Sequence, residues 1–513
     1  MRKNLLSLSI AAAIGGLGLV GGAHAITSAD STGATADTQN ISKNGIGHSL
    51  IVPYYTAQTE HATLINLVNT DTVNGKAVKV RFRGAANSDD VYDFQVFLSP
   101  GDVWNANVSQ DAASGKARLT TVDNSCTKPA NVNGEFVTAR LKSTWTAERK
   151  AANTREGYVE IFNMADVPPG SALFTAIKHV DGVAPCKGTA WTYLDTDRSY
   201  GLYVEAGLAN PSTGLMGNWT IINVNNAAAW GSTTPAVLAS TSQGTDGLGR
   251  IVYFPQVATA ADPTLIDTFT ADPLLVGGFI AAALYDLPDM STPYLTDAGL
   301  FGLPADIQPS EQAGQLTRTI SVDNVINEYL TNPDINASTD WVFSMPTRRY
   351  SVAMDYAPAT SEPVYNDLLQ RWFTAGNTAV DGDQICVKNV TYSVWDQSEN
   401  SPASTIDVVI SPNTLPDPVL FCGEASILTI NNPGAAQSGV LNAALTVKDI
   451  QTSTYTDGWI NLTTPGAQVG WGLPVLGGAF VRATAGASTF GANWDHRYNS
   501  AVRASGPVNA PAK

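Results

Sequence analysis

Short runs of alternating apolar and polar residues recur along this sequence, with turn-forming residues between them. Residues 50–52, 63–68 and 77–82 are examples, and Asn74 and Gly75 supply a hairpin turn between the second and third runs. This period of two places successive side chains on opposite faces of a strand. Strands about every ten residues predict a mainly β fold, with antiparallel β-sandwich domains and a few short helices.

Two segments invite more specific assignments. Ser321 precedes apolar residues at helical spacing, and Pro333 follows them, so the pattern predicts a helix over 321–330 with Ser321 as its N-cap. The apolar residues of that helix are Val322, Val325, Ile326, Tyr329 and Leu330. Residues 202–206 are apolar except for Glu205 and lie between two glycines, and we expect a strand there.

The strand at 78–83 has apolar side chains on one face and three cations on the other. The cations are Lys79, Arg81 and Arg83, and the acidic residues that follow them are Asp89, Asp90 and Asp93. One interpretation is an anion-binding face. The favoured interpretation is ion pairing between neighbouring strands, because opposite charges on adjacent strands are ordinary sheet chemistry.

Residues 1–25 have the pattern of a secretory signal peptide. Arg2 and Lys3 precede an apolar, glycine-containing region, and Ala23, His24 and Ala25 form an A-x-A cleavage site. We expect cleavage near Ala25 and secretion to the cell surface or beyond. Removing Arg2 and Lys3 makes the net charge of −16 more negative by two. No later apolar run reaches the ~20 residues of a transmembrane helix, so none is predicted in the mature chain.

Cysteine positions and composition suggest two halves. Residues 26–44 are expected to be a flexible mature N-terminus, 45–235 a β-sandwich-like domain, 236–249 a linker poor in charge, and 250–513 a second β-rich domain. An even number of cysteines in an exported chain predicts disulfides, and four cysteines allow three pairings. Proximity in sequence favours Cys126 with Cys186 in the first domain and Cys386 with Cys422 in the second.

Charge and motifs exclude several functions. The net charge of −16 argues against a nucleic-acid binder, and only 14% of residues are charged, against ~25% in ordinary soluble proteins. Metalloprotease, P-loop, nucleophile-elbow and dinucleotide-binding motifs are missing from the sequence, so we expect neither an enzyme nor a cofactor. A triad built from distant Ser, His and Asp residues stays open, because geometry and not sequence order defines it.

Calcium is the one ion that the sequence suggests. Asp195 and Asp197 alternate as in a calcium loop, but Tyr200 stands where the EF-hand glycine belongs and no closing Glu follows. The pattern predicts a weak calcium site at Asp195 and Asp197, with a solvated acidic turn as the alternative.

Eleven tryptophans and seventeen tyrosines allow a sugar-binding platform, although core packing explains such rings more simply.

Seven segments together are similar to a group of exported proteobacterial proteins called cell surface proteins, common in beta-proteobacteria. They are 50–56 (LIVPYYT), 76–84 (KAVKVRFRG), 97–104 (FLSPGDVW), 155–164 (REGYVEIFNM), 340–349 (DWVFSMPTRR), 472–480 (GLPVLGGAF) and 494–498 (WDHRY). The resemblance covers most of the mature chain. It implies secretion to the outer surface of a Gram-negative cell and a β-rich body, and it supplies no catalytic residues.

Three functions follow as hypotheses. The first is a non-enzymatic structural protein of the cell surface that self-associates, or binds envelope components, in a surface-layer-like or matrix assembly. The second is an adhesin or glycan-binding module that uses exposed aromatic side chains. The third is a secreted polymer hydrolase, which requires a deep cleft containing two carboxylates or a distant Ser, His and Asp set.

Overall fold

The period-two pattern of the sequence becomes a set of antiparallel sheets. A computed structural model describes residues 32–196, 199–256, 275–276, 279–280, 288–292, 294–304, 307–356, 358–388, 390–401, 421–452, 454–486, 488–500 and 507–508. Strands account for 43% of the structure and six short helices for 11%, which confirms the mainly β class. The predicted signal peptide, 1–25, and residues 26–31 of the predicted flexible N-terminus lie outside the described residues.

The first fourteen strands lie before residue 241. They are Thr38–Ile41 (β1), Ile46–Gly47 (β2), Ser49–Thr56 (β3), His61–Asn69 (β4), Gly75–Gly84 (β5), Asp90–Leu98 (β6), Val103–Gln110 (β7), Ala117–Thr120 (β8), Cys126–Lys128 (β9), Gly134–Glu135 (β10), Glu156–Val167 (β11), Leu215–Asn223 (β12), Ala228–Thr233 (β13) and Ala236–Ser240 (β14).

The remaining strands and the helices complete the described elements. The strands are Leu275–Val276 (β15), Phe279–Ile280 (β16), Ser321–Leu330 (β17), Ser338–Ser344 (β18), Val352–Asp355 (β19), Glu362–Tyr365 (β20), Thr378–Asp381 (β21), Gln384–Val387 (β22), Tyr392–Asp396 (β23), Phe421–Cys422 (β24), Ala425–Ile430 (β25), Val447–Ile450 (β26), Asp457–Thr463 (β27), Leu473–Pro474 (β28), Leu476–Ala485 (β29), Ser488–Asp495 (β30) and Arg497–Ser500 (β31). The helices are Ala147–Ala152 (α1), Ala172–Ile177 (α2), Thr189–Tyr193 (α3), Tyr200–Glu205 (α4), Gln308–Ile320 (α5) and Arg348–Ser351 (α6).

Two large sheets form the first sandwich. Sheet I has the order β1-β14-β3-β11-β5-β6-β9, and sheet II has the order β10-β8-β7-β4-β12-β13 with β2 paired to β12. Leu50, Val80 and Phe82 of sheet I pack against Leu67 and Trp104 of sheet II in one buried core. The apolar face predicted for the strand at 78–83 therefore points into this core.

Two further sheets form the second sandwich. Sheet III has the order β23-β27-β17-β28 with β31 also paired to β17, and sheet IV has the order β26-β25-β18-β29-β30. Val325, Tyr329 and Ile460 of sheet III pack against Trp341 and Leu428 of sheet IV. Every strand pair in the two sandwiches is antiparallel except β25 and β26, which run parallel.

The two halves share apolar contacts. Val342, Ile427 and Phe480 of sheet IV belong to the core of the first sandwich. Ile51 of β3 belongs to the core of the second. The segment expected as a linker, 236–249, contains strand β14, which pairs with β1 and β3 in sheet I. The proposed division into two domains stays a prediction, but residues 236–240 are an integral part of a sheet.

Short helices cover the outer face of sheet I. Leu173 of α2, Trp191 of α3 and Tyr203 of α4 pack with Phe97 and Met164 in a third buried cluster. None of the helices in the described ranges has the length and apolar character needed to cross a membrane.

Both predicted disulfides are confirmed. Cys126 bonds to Cys186, linking β9 to the segment between α2 and α3. Cys386 bonds to Cys422, linking the neighbouring strands β22 and β24. Each bond therefore closes a loop within its own half of the chain, as sequence proximity suggested.

The helix predicted over 321–330 is wrong, because this segment is strand β17 and the helix is α5, directly before it. Val325, Asn327 and Tyr329 are the buried residues on the inward face of β17. Asn327 keeps its amide satisfied there, because its Nδ2 donates to His496 Nδ1 at 3.0 Å. Because Asn327 is polar but faces inward, the sequence of β17 does not show a period of two. Its apolar residues happen to be spaced as in a helix.

The strand predicted at 202–206 is also wrong, because the segment belongs to α4. Only Tyr203 of this helix is buried, where its ring packs 5.1 Å from that of Tyr253. Leu202 and Val204 are exposed by 37% and 43%. Two of the three large apolar residues in this segment are therefore exposed, so its apolar character does not indicate a buried strand.

Candidate functional site

Most tryptophans belong to the cores, as the sequence interpretation favoured. Seven of the eleven are buried, namely Trp104, Trp145, Trp191, Trp219, Trp230, Trp341 and Trp372. The exposed aromatic side chains of the described residues concentrate on the second sandwich. They are Tyr392, Trp459, Phe490, Trp494 and Tyr498, with Phe301 as the exception elsewhere. An exposed aromatic cluster of this kind marks a candidate binding surface.

Two of these exposed rings, Trp459 and Trp494, line an open groove, which we call the aromatic groove. It is lined by residues 326–330 of β17, 396–397 after β23, 457–459 of β27, and Val481, Trp494 and Arg497. Its volume is about 540 Å³. That volume lies within the ~300–1,000 Å³ that is usual for ligand pockets.

Strand register places Trp459 and Glu328 of the groove in one row with Trp395, which lies beside the groove. Trp395 of β23 lies opposite Trp459 of β27, and Trp459 lies opposite Glu328 of β17. Directly opposed residues in a sheet share a face, so all three side chains project from the same side. The rings of Trp395 and Trp459 stack with centroids 4.0 Å apart and an interplanar angle of 9°. Ile460 and Leu462, on the other face of β27, point into the core.

Polar groups surround these rings. Arg497 Nη1 lies 3.7 Å from Glu328 Oε1, and both side chains are more than 60% exposed, at 65% and 62%. Gln397 Nε2 donates to Asp457 Oδ2 at 2.6 Å. The groove thus offers carboxylate, amide and guanidinium groups next to indole rings. These groups can accept and donate hydrogen bonds, as recognition of hydroxyl groups requires.

Asp396 at the rim of the groove is held in its ionised form. Its carboxylate accepts hydrogen bonds from Asn400 Nδ2 at 2.9 Å and from the backbone N–H groups of Ser398 and Asn400, both at 2.8 Å. These bonds lower the pKa of Asp396 below its ordinary value, the Asn400 side chain contributing most. A general acid for glycoside cleavage needs a raised pKa, so Asp396 is unsuited to that role.

The cationic face of β5 is covered by other parts of the chain. Lys79 Nζ lies 2.6 Å from Asp93 Oδ1, and Arg81 Nε lies 3.2 Å from Asp90 Oδ2. These two contacts confirm the predicted ion pairing between strands. Arg83 also pairs across strands, and one carboxylate partner is a residue that the sequence did not suggest: Arg83 Nε donates to Glu160 Oε2 of β11 at 3.0 Å.

Ion pairs continue from this face into the second half of the chain. Arg349 Nη2 lies 3.0 Å from Asp289 Oδ2 and 3.5 Å from Glu160 Oε1. Arg348 Nε lies 2.5 Å from Glu424 Oε2. Burial raises the pKa of Glu424, and the Arg348 charge opposes this shift. Because these side chains are buried and paired, the layer joins the halves and leaves no open face for an anion.

One Ser, His and Asp set comes together in the described part of the chain. His179 Nδ1 lies 3.5 Å from Asp102 Oδ2 and 3.4 Å from Ser99 Oγ. A catalytic triad needs the carboxylate at one ring nitrogen and the hydroxyl at the other. Both groups approach the same nitrogen here, so the arrangement does not activate Ser99.

The residues expected to bind metal have other partners where they are described. Asp195 Oδ1 lies 2.5 Å from Lys128 Nζ, which competes with a cation for that carboxylate. Asp197 lies outside the described residues, so the calcium site stays a prediction. Asp381, Cys386 and Cys422 place their potential ligand atoms within 4.8 Å of one another, but the two cysteines are bonded to each other and offer no thiolate.

Together these features define a disulfide-bonded protein of packed antiparallel sheets with an open aromatic groove on its second sandwich. No family model, curated protein or solved structure matches the chain. The geometry of the groove is therefore the basis for assigning a function.

Proposed function

We propose that this protein binds glycans through the aromatic groove. The observation that carries the proposal is Trp459, an exposed ring that lines the groove and stacks on Trp395, while most other tryptophans are buried. A soluble protein gains stability by covering such rings, so their retention at an open surface favours a ligand. Indole faces pack on the apolar faces of sugar rings, and the neighbouring polar groups bind hydroxyls.

The charges of the groove favour a neutral glycan. Glu328, Asp396 and Asp457 contribute three carboxylates, and Arg497 contributes one cation, which is already paired with Glu328. An anionic polymer meets net repulsion at such a surface. A neutral polysaccharide uses the same carboxylates as hydrogen-bond acceptors without that cost.

We further propose that the protein acts as an exported, non-enzymatic adhesin. The signal-peptide pattern of residues 1–25 and the resemblance to cell surface proteins support export. The lowered pKa of Asp396 and the misplaced hydroxyl of Ser99 argue for binding over cleavage. A self-assembling surface layer, the first hypothesis from the sequence, remains the competing use of the same exposed rings.

Binding is tested by depletion of the purified chain on insoluble neutral polysaccharides, namely cellulose, chitin and a β-1,3-glucan. We expect saturable retention on at least one of them. Trp459→Ala and Trp494→Ala are each expected to weaken it roughly tenfold, as the loss of one aromatic stacking contact with its buried area predicts. Phe301→Ala is the matched control, because Phe301 is 43% exposed but lies outside the groove.

Two outcomes would contradict the proposal. One is the absence of retention on all three polysaccharides. The other is equal retention of the Trp459→Ala and Phe301→Ala proteins. Size-exclusion chromatography of the same proteins tests the competing hypothesis of self-assembly. If the wild-type chain forms oligomers, Trp459→Ala dissociates them and no polysaccharide retains the protein, the exposed rings serve self-assembly.

A further inference from the structure

Three side chains form a closed arrangement on the covered face of sheet I. Lys79 projects from β5, Asp93 from β6, and Gln256 lies in the segment that crosses this face. The Lys79 side chain is 5% exposed and that of Asp93 is 11% exposed. This amine, carboxylate and carboxamide are therefore brought together where water has little access.

The distances join all three groups pairwise. Lys79 Nζ donates to Asp93 Oδ1 at 2.6 Å and to Gln256 Oε1 at 2.8 Å. Gln256 Nε2 donates to the same Asp93 Oδ1 at 2.5 Å. The amine thus contacts the amide carbonyl that it would attack, and one carboxylate oxygen bridges the amine and the nitrogen that would leave. The nucleophile, the carbonyl group and a proton carrier for aminolysis of a carboxamide are thus within hydrogen-bond distance of one another.

Neighbouring contacts hold the carboxamide in place. Gln95 Nε2 of β6 donates to the carbonyl oxygen of Phe254 at 2.5 Å, and the Tyr253 hydroxyl donates to Gln95 Oε1 at 3.0 Å. The backbone two residues before Gln256 is therefore fixed to the strand that carries Asp93. Such positioning replaces a bimolecular encounter by an intramolecular one.

We propose that Lys79 and Gln256 form an intramolecular isopeptide bond, with Asp93 as the proton carrier. Asp93 takes a proton from the Lys79 ammonium, and the neutral Nζ adds to Cδ of Gln256. The bond between Cδ and Nε2 then breaks as Asp93 returns this proton to the departing nitrogen. Nζ, which still carries one proton more than an amide nitrogen, gives that proton through Asp93 to the departing ammonia. A secondary amide joins Nζ to Cδ, and the amide nitrogen of Gln256 leaves as ammonium. No oxidant, reductant or further reactant takes part.

Burial lowers the pKa of the Lys79 amine, which favours the neutral nucleophile. Burial acts to raise the pKa of Asp93, but the charges of Lys79 and Arg81 outweigh it and hold that pKa below its ordinary value. Asp93 is therefore ionised before the reaction, as the first proton transfer from Lys79 requires, and it holds the proton only in passing. Arg81 lies directly opposite Asp93 across the strands. After Lys79 loses its charge in the amide, Arg81 still neutralises Asp93.

Lys76, three residues earlier on β5, is a matched control within the same molecule. It is also buried, but its described acceptors are carboxylates, a hydroxyl and backbone carbonyls: Nζ donates to Asp166 Oδ1 at 2.8 Å and to Ser212 Oγ at 2.7 Å. With no side-chain carboxamide among those acceptors, Lys76 is expected to keep a free amine.

The test is mass spectrometry of the purified full chain after reduction and denaturation. We expect an intact mass lower by one ammonia than the mass of the mature sequence, and a peptide map in which the Lys79 and Gln256 peptides are joined. Acetic anhydride, applied to the denatured chain, is expected to acetylate Lys76 fully and to leave Lys79 unmodified. Asp93→Asn and Gln256→Leu are each expected to restore the full mass and the reactivity of Lys79.

The result on the wild-type chain decides the proposal whether or not the variants fold. A full mass together with complete acetylation of Lys79 would overturn it. A loss of ammonia that maps to another residue, such as a cyclised asparagine, would overturn it as well. If the cross-link persists in Asp93→Asn, the assignment of Asp93 as proton carrier is refuted.

Discussion

Acidification is expected to destabilise the second sandwich, because His496 is held there as a neutral imidazole. Its Nδ1 lies 3.0 Å from Asn327 Nδ2, an amide donor, so Nδ1 accepts and Nε2 donates to the Val342 carbonyl oxygen at 2.9 Å. The ring packs between Phe343 and Trp341, with centroids 4.7 and 5.4 Å away. Protonation would place a second N–H against the amide donor at a buried position. Burial lowers the pKa of His496 to about 3.

The magnitude follows from the difference between folded and unfolded pKa values. An unfolded histidine titrates near a pKa of ~6.5, so between pH 6.5 and about 3 the unfolded chain binds more protons. Stability that is complete above pH 6.5 is lost as the pH falls through this window, by about 1.4 kcal/mol per pH unit. At pH 5 the loss from His496 is about 2 kcal/mol. His48, whose pKa burial also lowers to about 3, adds a similar loss.

A matched variant isolates this contribution from other titrating groups. Burial raises the pKa of Glu156 and Glu424, and such carboxyls stabilise the folded chain as the pH falls toward their unfolded pKa, which opposes the histidines. His496→Gln removes one titration and leaves the others. We would measure free energies of unfolding in urea, by tryptophan fluorescence, at pH 7, 6 and 5 for both proteins, with His48→Gln as a second comparison.

The expected result is a pH-dependent difference between the two proteins. Whatever baseline stability His496→Gln loses at pH 7, its disadvantage should shrink by about 2 kcal/mol at pH 5. We compare how the difference in unfolding free energy between the two proteins changes from pH 7 to pH 5. The pH-independent disruption caused by the substitution is the same at both pH values and cancels. Parallel pH profiles of wild type and His496→Gln would refute the neutral, buried imidazole.

Two further predictions concern the contacts that stabilise the fold. Arg83→Met leaves Glu160 buried without the partner that lies 3.0 Å away, so we expect a loss of about 3–5 kcal/mol in urea unfolding, and a smaller loss in Arg83→Met/Glu160→Met. Equal losses in the single and double variants would contradict the ion-pair argument. Cys386→Ser opens the bond to Cys422, which spans 36 residues, and loop-closure entropy predicts a loss of about 4 kcal/mol, measured by the same unfolding experiment. A variant as stable as wild type would show that the unfolded chain is not constrained by this loop.

The sequence predicts strands well where the two faces of a strand differ in polarity. Over residues 78–83 of β5 the apolar residues and the cations alternate without interruption, so both the strand and its buried face are confirmed. The partner of Arg83 was missed because Glu160 lies 77 residues away on β11. Alternation identifies a strand and its faces, but it contains no information about which distant strand becomes its neighbour.

The erroneous helix at 321–330 shows a second limit. Asn327 occupies an inward position of β17 because its partner, His496, is 169 residues distant in sequence. A polar side chain can face a core when a hydrogen-bond partner meets it there. Period-two analysis scores such a residue as outward, so the failure arises from a contact that local sequence does not reveal.

The aromatic groove was only partly accessible to sequence analysis. Trp459 alternates with Ile460 and Leu462, so its outward position follows from period two once those two are assigned to the core. Its stacking with Trp395 does not follow, because the register of β23 and β27 is set by the fold. Treating all tryptophans as one compositional class concealed the few that face outward.

The buried charges also determine what the surface presents to a ligand. Within the described residues, eight cationic side chains are buried: Lys76, Lys79, Arg81, Arg83, Lys128, Arg250, Arg348 and Arg349. Ten acidic residues that are buried in the same ranges nearly balance them, so most of the net charge of −16 belongs to the rest of the chain. The buried ion pairs thus hold cations in the interior, where these cations do not neutralise the carboxylates of the surface. A surface left this acidic repels anionic polymers over the ~8 Å Debye length at physiological salt, whereas a neutral glycan reaches the aromatic groove without that barrier.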